Sequence, residues 1–253
     1  MFILQIKTGK VHSFQAGLSL VELMIAMVIS LLLLGGLVQI VVSNKQTYNF
    51  QQSQALNQEN SRYSYFYLDD IVNKAGYRTI PQDGVDVTFE ELSANASCAQ
   101  FNRGQIVAAS NEGTGICIRY QRAAAMELDC SGNVIATATP IVTRIFFDQV
   151  TQALVCGAQG GQATTMVENI DNLQIQYGVD SGSGNLAFVA VPPNWNNIRA
   201  VRIALLTASE NQVLDGAQSY AFPVDTATLI TATDRRAYRS SQKTIHIRNA
   251  ILN

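Results

Sequence analysis

From Leu23 to Val42 the chain carries no formal charge, and almost every residue in that run is Leu, Ile, Val, Met, Ala or Gly. Coiled into a helix at about 1.5 Å per residue, the run matches the roughly 30 Å hydrocarbon core of a bilayer. Lys7 and Lys10 lie upstream, and the first acidic residue is Glu22. The positive-inside bias then places the N-terminus in the cytoplasm and everything after Lys45 outside. The expectation is a single span with an external body.

A secretory signal peptide has a shorter apolar stretch, of roughly 7 to 15 residues, that ends in a small-x-small cleavage site. Here the apolar run is longer and ends in Gln39-Ile-Val-Val-Ser43. A plain anchor accounts for the length and leaves Glu22 without a reason, since a carboxylate costs on the order of 2.5 to 3.5 kcal/mol at mid-bilayer. The remainder of the 253 residues is enough for one ordinary globular domain. With 17 basic against 19 acidic residues there is no broad cationic surface to neutralise a nucleic-acid backbone.

The ten residues Gly17-Leu-Ser-Leu-Val-Glu22-Leu-Met-Ile-Ala26 resemble the class III signal of type IV prepilins and type II secretion pseudopilins. The resemblance implies cleavage by a dedicated prepilin peptidase between Gly17 and Leu18, methylation of the new amine on Leu18, and a register role for Glu22 between neighbouring subunits. Leu18 departs from the phenylalanine commoner at that position. The chemistry agrees with the family role: cleavage creates an α-amino group about one helical turn from Glu22, and in a packed bundle such an amine can neutralise a neighbour's carboxylate. A bland alternative is that Glu22 reaches the interface from near the helix end.

No proline occurs before Pro81 and no glycine between Gly36 and Gly76, so the helix is expected to continue past the membrane to about Ala75, roughly 87 Å in all. Phe50, Leu56, Tyr63, Phe66, Tyr67 and Ile71 stand loosely at helical spacing and are expected to form its packing face. Gly35-Gly36 is a candidate point of bending. After Gly76 the pattern turns to short β-rich runs between turn residues. Strands are expected at 105–109, 116–121, 126–129, 134–137, 142–148, 153–156, 173–177, 186–191, 198–207 and 244–248, the strongest being 198–207. The fold class is α+β: a long N-terminal transmembrane and amphipathic helix packed on an antiparallel β-sheet body. The expected organisation is a leader over 1–17, a transmembrane half-helix over 18–42, a periplasmic half-helix over 43–76 and a β-rich body over 77–253.

Ile116-Cys-Ile-Arg-Tyr-Gln121, Asp129-Cys-Ser-Gly-Asn133, Leu154-Val-Cys156, the run from Val167 to Asp180, the run from Trp195 to Ile203 and Thr244-Ile-His-Ile-Arg-Asn249 follow in an order similar to the PilW type of minor pilin. The J-type minor pseudopilin of type II secretion is the nearest relative in plan. Cys98, Cys117, Cys130 and Cys156 all follow the span, in a compartment where an even count favours disulfides. Three connectivities exist. Sequential pairing, Cys98 with Cys117 and Cys130 with Cys156, closes modest loops worth roughly 3 kcal/mol each, and the PilW resemblance supports the second pair more than the first.

No GxSxG elbow, HExxH helix or phosphate-binding glycine loop occurs, and of the two histidines His12 lies in the leader and His246 in an expected strand. Asp69-Asp70 and Glu90-Glu91 are adjacent pairs of the kind that mark solvated surface. No catalytic residue, cofactor, metal or small-molecule substrate is expected. Asp180-Ser-Gly-Ser-Gly-Asn185 is a glycine-serine turn with a weak likeness to a calcium loop. Arg235, Arg236, Arg239, Lys243 and Arg248 are expected to protect a solvated strand edge by charge.

The resemblance implies a minor pilin that primes and joins a type IV pilus, in a tip complex that supports twitching motility, adhesion or DNA uptake. Its implied partners are other minor pilins, the major pilin, the prepilin peptidase, the inner-membrane assembly platform and, before assembly, inner-membrane lipid. The localisation so implied is the inner membrane, single pass with a periplasmic body, and then the extracellular pilus. The competing readings are the J-type pseudopilin and a membrane-anchored binding domain that never polymerises.

Overall fold

The computed structural model describes residues 17, 19–158, 161–180 and 185–250. Two compact units divide between Tyr48 and Asn49. The first contains the N-terminal part of α1 (Leu20–Lys74), and its side chains from Leu20 to Tyr48 are all exposed. By length and composition this part of α1 can cross a membrane. The helix stays regular through Gly35 and Gly36, around which there is open space. It ends where Gly76 takes φ +73° and donates its N–H to the Arg119 carbonyl at 2.9 Å. A left-handed residue just past a helix end is a glycine position. A Cβ there would also come within 2.9 Å of Ile106 Cδ1.

The second unit begins at Asn49 and includes the rest of α1 and one further helical turn, α2 (Val85–Thr88). Then come β1 (Val107–Ala109), β2 (Thr114–Tyr120), β3 (Ile141–Asp148), β4 (Ala153–Ala158) and β5 (Ala163–Glu168), which form one sheet in chain order. They are followed by β6 (Ile170–Asp180), β7 (Leu186–Val189), β8 (Ile198–Gln212), the short pair β9 (Ser219–Ala221) and β10 (Leu229–Thr231), and β11 (Arg236–His246). The second sheet has the order β11-β8-β6-β7, and every pairing in the unit is antiparallel. Val201, Ile203 and Leu205 alternate along β8, so all three point to one face. They share a core with Leu173 and Ile175 of β6, Ile116 and Ile118 of β2, and Leu68, Ile71 and Val72 of α1.

Within this unit α1 packs through Asn57, Ser61, Ser64, Leu68, Ile71 and Val72, one stripe at steps of three and four residues. The face expected from Leu56, Tyr63 and Phe66 is therefore wrong, because those side chains are 53%, 44% and 67% exposed. Small polar residues let the helix backbone approach the sheet and hydrogen-bond it. Asn57 Nδ2 donates to the Ala237 carbonyl at 2.7 Å, the Ser61 and Ser241 hydroxyls meet at 2.8 Å, and the Tyr65 hydroxyl donates to the Ile203 carbonyl at 3.3 Å. Burial pushes the Tyr65 phenol up to about 12.

The runs 126–129 and 134–137 are not strands; a single bridge between Leu128 and Val134 is all they form. Conversely, β5, β9, β10 and the first part of β11 arise where no strand was expected. The sheet expected as one body is two larger sheets and a two-stranded ribbon.

Candidate functional site

Gly17 is exposed, and a Cβ built on it would meet nothing within 4 Å. Leu18 lies outside the described residues. Ser19 precedes the helix, and its carbonyl accepts the first bond, from the Leu23 N–H at 3.1 Å. Glu22 is the acidic residue of the first turn, where the unpaired N–H groups give the helix its positive end. Ser19-Leu-Val-Glu22 thus has the S-x-x-E spacing of a capping box, a local signal that the reading of Glu22 as a register residue passed over. Among the described residues Glu22 has no ion-pair partner. Further along the apolar stretch the Ser30 hydroxyl bonds back to the Ala26 carbonyl at 2.7 Å, so that polar group is satisfied inside the helix.

In the second unit Cys98 is bonded to Cys117 and Cys130 to Cys156. The first bond joins the segment before β1 to β2. The second ties the turn at Asp129–Asn133, in which Asp129 Oδ1 accepts from the Ser131 and Asn133 N–H groups, to β4. Residues 181–184 of the glycine-serine turn lie outside the described residues.

Part of the C-terminal basic cluster is paired. Arg236 reaches Asp171 at 2.9 Å and Asp234 at 2.8 Å, and Lys243 reaches Asp69 at 3.1 Å. Asp70 pairs with Lys74 at 3.0 Å, and Glu91 accepts from Gln100 at 2.7 Å. The adjacent acidic pairs are thus divided among separate surface contacts. His246 stands exposed at the end of β11.

Residues 12–38 match the family model of the prokaryotic N-terminal methylation motif, a range that holds Gly17, Glu22 and the first turns of α1. Residues 133–249 match the model of the type IV pilus-assembly protein W, PilW. Over these two stretches the chain is similar to prepilin-like proteins of the PilW type. The PilW match takes in β3 through β11 and Cys156, and it begins after Cys98, Cys117 and Cys130. Among solved structures, a type IV-like pilin from Thermus thermophilus has a TM-score of 0.48 at 14% identity, over 77% of this chain and 98% of that one. No curated protein matches the chain.

Proposed function

We propose that this PilW-type protein is a minor pilin, cut between Gly17 and Leu18 and taken up into a type IV pilus near its tip. The observation that carries the reading is the joining, in one chain, of an N-terminal methylation motif and a PilW-type β-rich region. Residues 18–42 hold the protein in the inner membrane, and the prepilin peptidase removes the leader before assembly. Residues 18–42 then pack laterally among the helices of other subunits. Glu22 fixes the register, because a carboxylate brought into an apolar bundle is stable only beside a cation, and the nearest candidate is the amine of a neighbouring Leu18. The β-rich body makes the specific contacts with other minor pilins that prime assembly. The role is structural and non-enzymatic, and no step of it calls for a cofactor.

Deletion of the gene tests the reading. Loss of surface filaments and twitching, restored by the wild-type chain, is the expected result. Loss of enzyme export with intact pili would move the protein to a secretion system.

A further inference from the structure

A cleft of about 550 Å³ opens in the second unit between α1, the turn joining β5 to β6, and the end of β8. Three segments far apart in sequence build it, and each is pinned. On the helix side, Asn57 is held by the Ala237 carbonyl at 2.7 Å and Asn60 Nδ2 donates to the Glu168 carbonyl at 3.3 Å. At the turn, Asn169 takes φ +60° and accepts from the Ala208 N–H at 3.1 Å. At the end of β8 the Ser209 hydroxyl bonds the Asn211 carbonyl at 2.6 Å and accepts from the Ala237 N–H at 2.9 Å. The walls are therefore formed before any ligand arrives, which lowers the cost of binding.

The lining has a particular chemistry. Side-chain amides predominate, Gln52 and Asn49 among them; among the described residues Glu168 and Glu210 are the two charged groups in the lining, and no Lys, Arg or His lines the cleft. The Tyr63 ring stands at one end, held edge-on by the Tyr67 ring at 4.8 Å with the two hydroxyls 2.9 Å apart. An amide offers both a donor and an acceptor, matching a hydroxyl that does the same. A carboxylate accepts strongly from vicinal hydroxyls. An aromatic face suits a flat, weakly apolar C–H surface. Phosphates, sulfates and acidic sugars would meet two carboxylates with no compensating cation in the lining.

From this combination we infer that the cleft is a binding site for a neutral saccharide, of one or two hexose units by its volume. The ring face stacks on Tyr63, and the hydroxyls are shared among the Gln52 amide and the Glu168 and Glu210 carboxylates. The site lies outside the prepilin signal and goes beyond the assembly role.

The test is saturation-transfer difference NMR on the full chain, extracted in a detergent without a sugar head group. The probes are the methyl glycosides of glucose, galactose, mannose and N-acetylglucosamine, with N-acetylneuraminic acid as the anionic comparison and a short oligolysine as the cationic one. Tyr63→Ala, Gln52→Ala and Glu210→Ala alter exposed side chains, and retained thermal unfolding confirms that each variant is folded. The expected result is transfer to the ring protons of at least one neutral glycoside, none to the acid, and affinity about tenfold weaker in Tyr63→Ala, the loss of one stacked ring. No transfer to any of the four neutral glycosides overturns the inference. So does transfer that survives all three substitutions, equal transfer to N-acetylneuraminic acid, or binding of oligolysine alone, which would make the cleft a contact for a basic protein segment.

Discussion

Glu22 and Gly76 illustrate two ways in which one residue can be fixed by its surroundings. At Glu22 the described surroundings supply only the helix end, and on the proposed reading its counter-charge in a bundle comes from another chain. Glu22→Ala should be cleaved and inserted normally yet be scarce in sheared pili. Leaving the partner amine unpaired costs about 3 kcal/mol, roughly a hundredfold in incorporation. Immunoblots of pilus and membrane fractions check this, and equal incorporation would return Glu22 to a local capping role. Gly76 is fixed from within. With φ at +73° and Ile106 Cδ1 only 2.9 Å from a built Cβ, Gly76→Ala should lower stability by about 1 to 2 kcal/mol in a urea titration.

At the scale of elements, the contact between α1 and the second sheet is made by side chains that a hydropathy pattern ranks low. Ser64 is fully buried while Phe66, two residues on, is 67% exposed. Ser64→Leu should overpack the contact and cost about 1 to 3 kcal/mol, whereas Phe66→Ser should change stability by less than about 0.5 kcal/mol. The same contact makes stability sensitive to alkali. The Tyr65 phenol titrates at about 12 in the folded chain and about 10 when unfolded. Its contribution is therefore complete below pH 10 and is lost as pH rises through 12, because the unfolded chain sheds its proton first. Denaturant midpoints across that window should fall, and fall less steeply in Tyr65→Phe. These residues also show why some elements were legible and others not. The apolar part of α1 and the alternating Val201, Ile203 and Leu205 of β8 announce themselves through burial on a regular period. β5, with Ala163, Thr164 and Thr165 exposed, is an edge strand with little apolar pattern. The early part of β11 is polar: Arg236 pairs with Asp171 and Asp234, and Ser241 meets Ser61 of α1. The run 126–129 alternates apolar and acidic residues as a half-exposed strand does, but its neighbour is a disulfide-tied turn and only one bridge forms.

On the scale of the whole molecule, an apolar helix and a β-rich unit are encoded by quite different stretches, and the candidate sites divide along that line. Gly17 and Glu22 could be proposed from sequence because an N-terminal methylation motif is local and contiguous. The cleft beside Tyr63 could not, since its walls come from residues near 50–63, 166–169 and 208–213, which only folding brings together. The β-rich unit is further held by two disulfides, and Cys130→Ser with Cys156→Ser should lower its stability by about 3 kcal/mol in the chain-entropy view, read as a shift in the urea midpoint. The central claim concerns the N-terminus, and the intact mass and N-terminal sequence of the membrane-extracted, unreduced protein test it most directly, in hosts with and without prepilin peptidase. The account predicts a chain beginning at Leu18, about 14 Da heavier when methylated and about 4 Da lighter for two disulfides, only where the peptidase is present. A chain that keeps its leader in both hosts would contradict it and leave a membrane-anchored domain that does not enter a pilus.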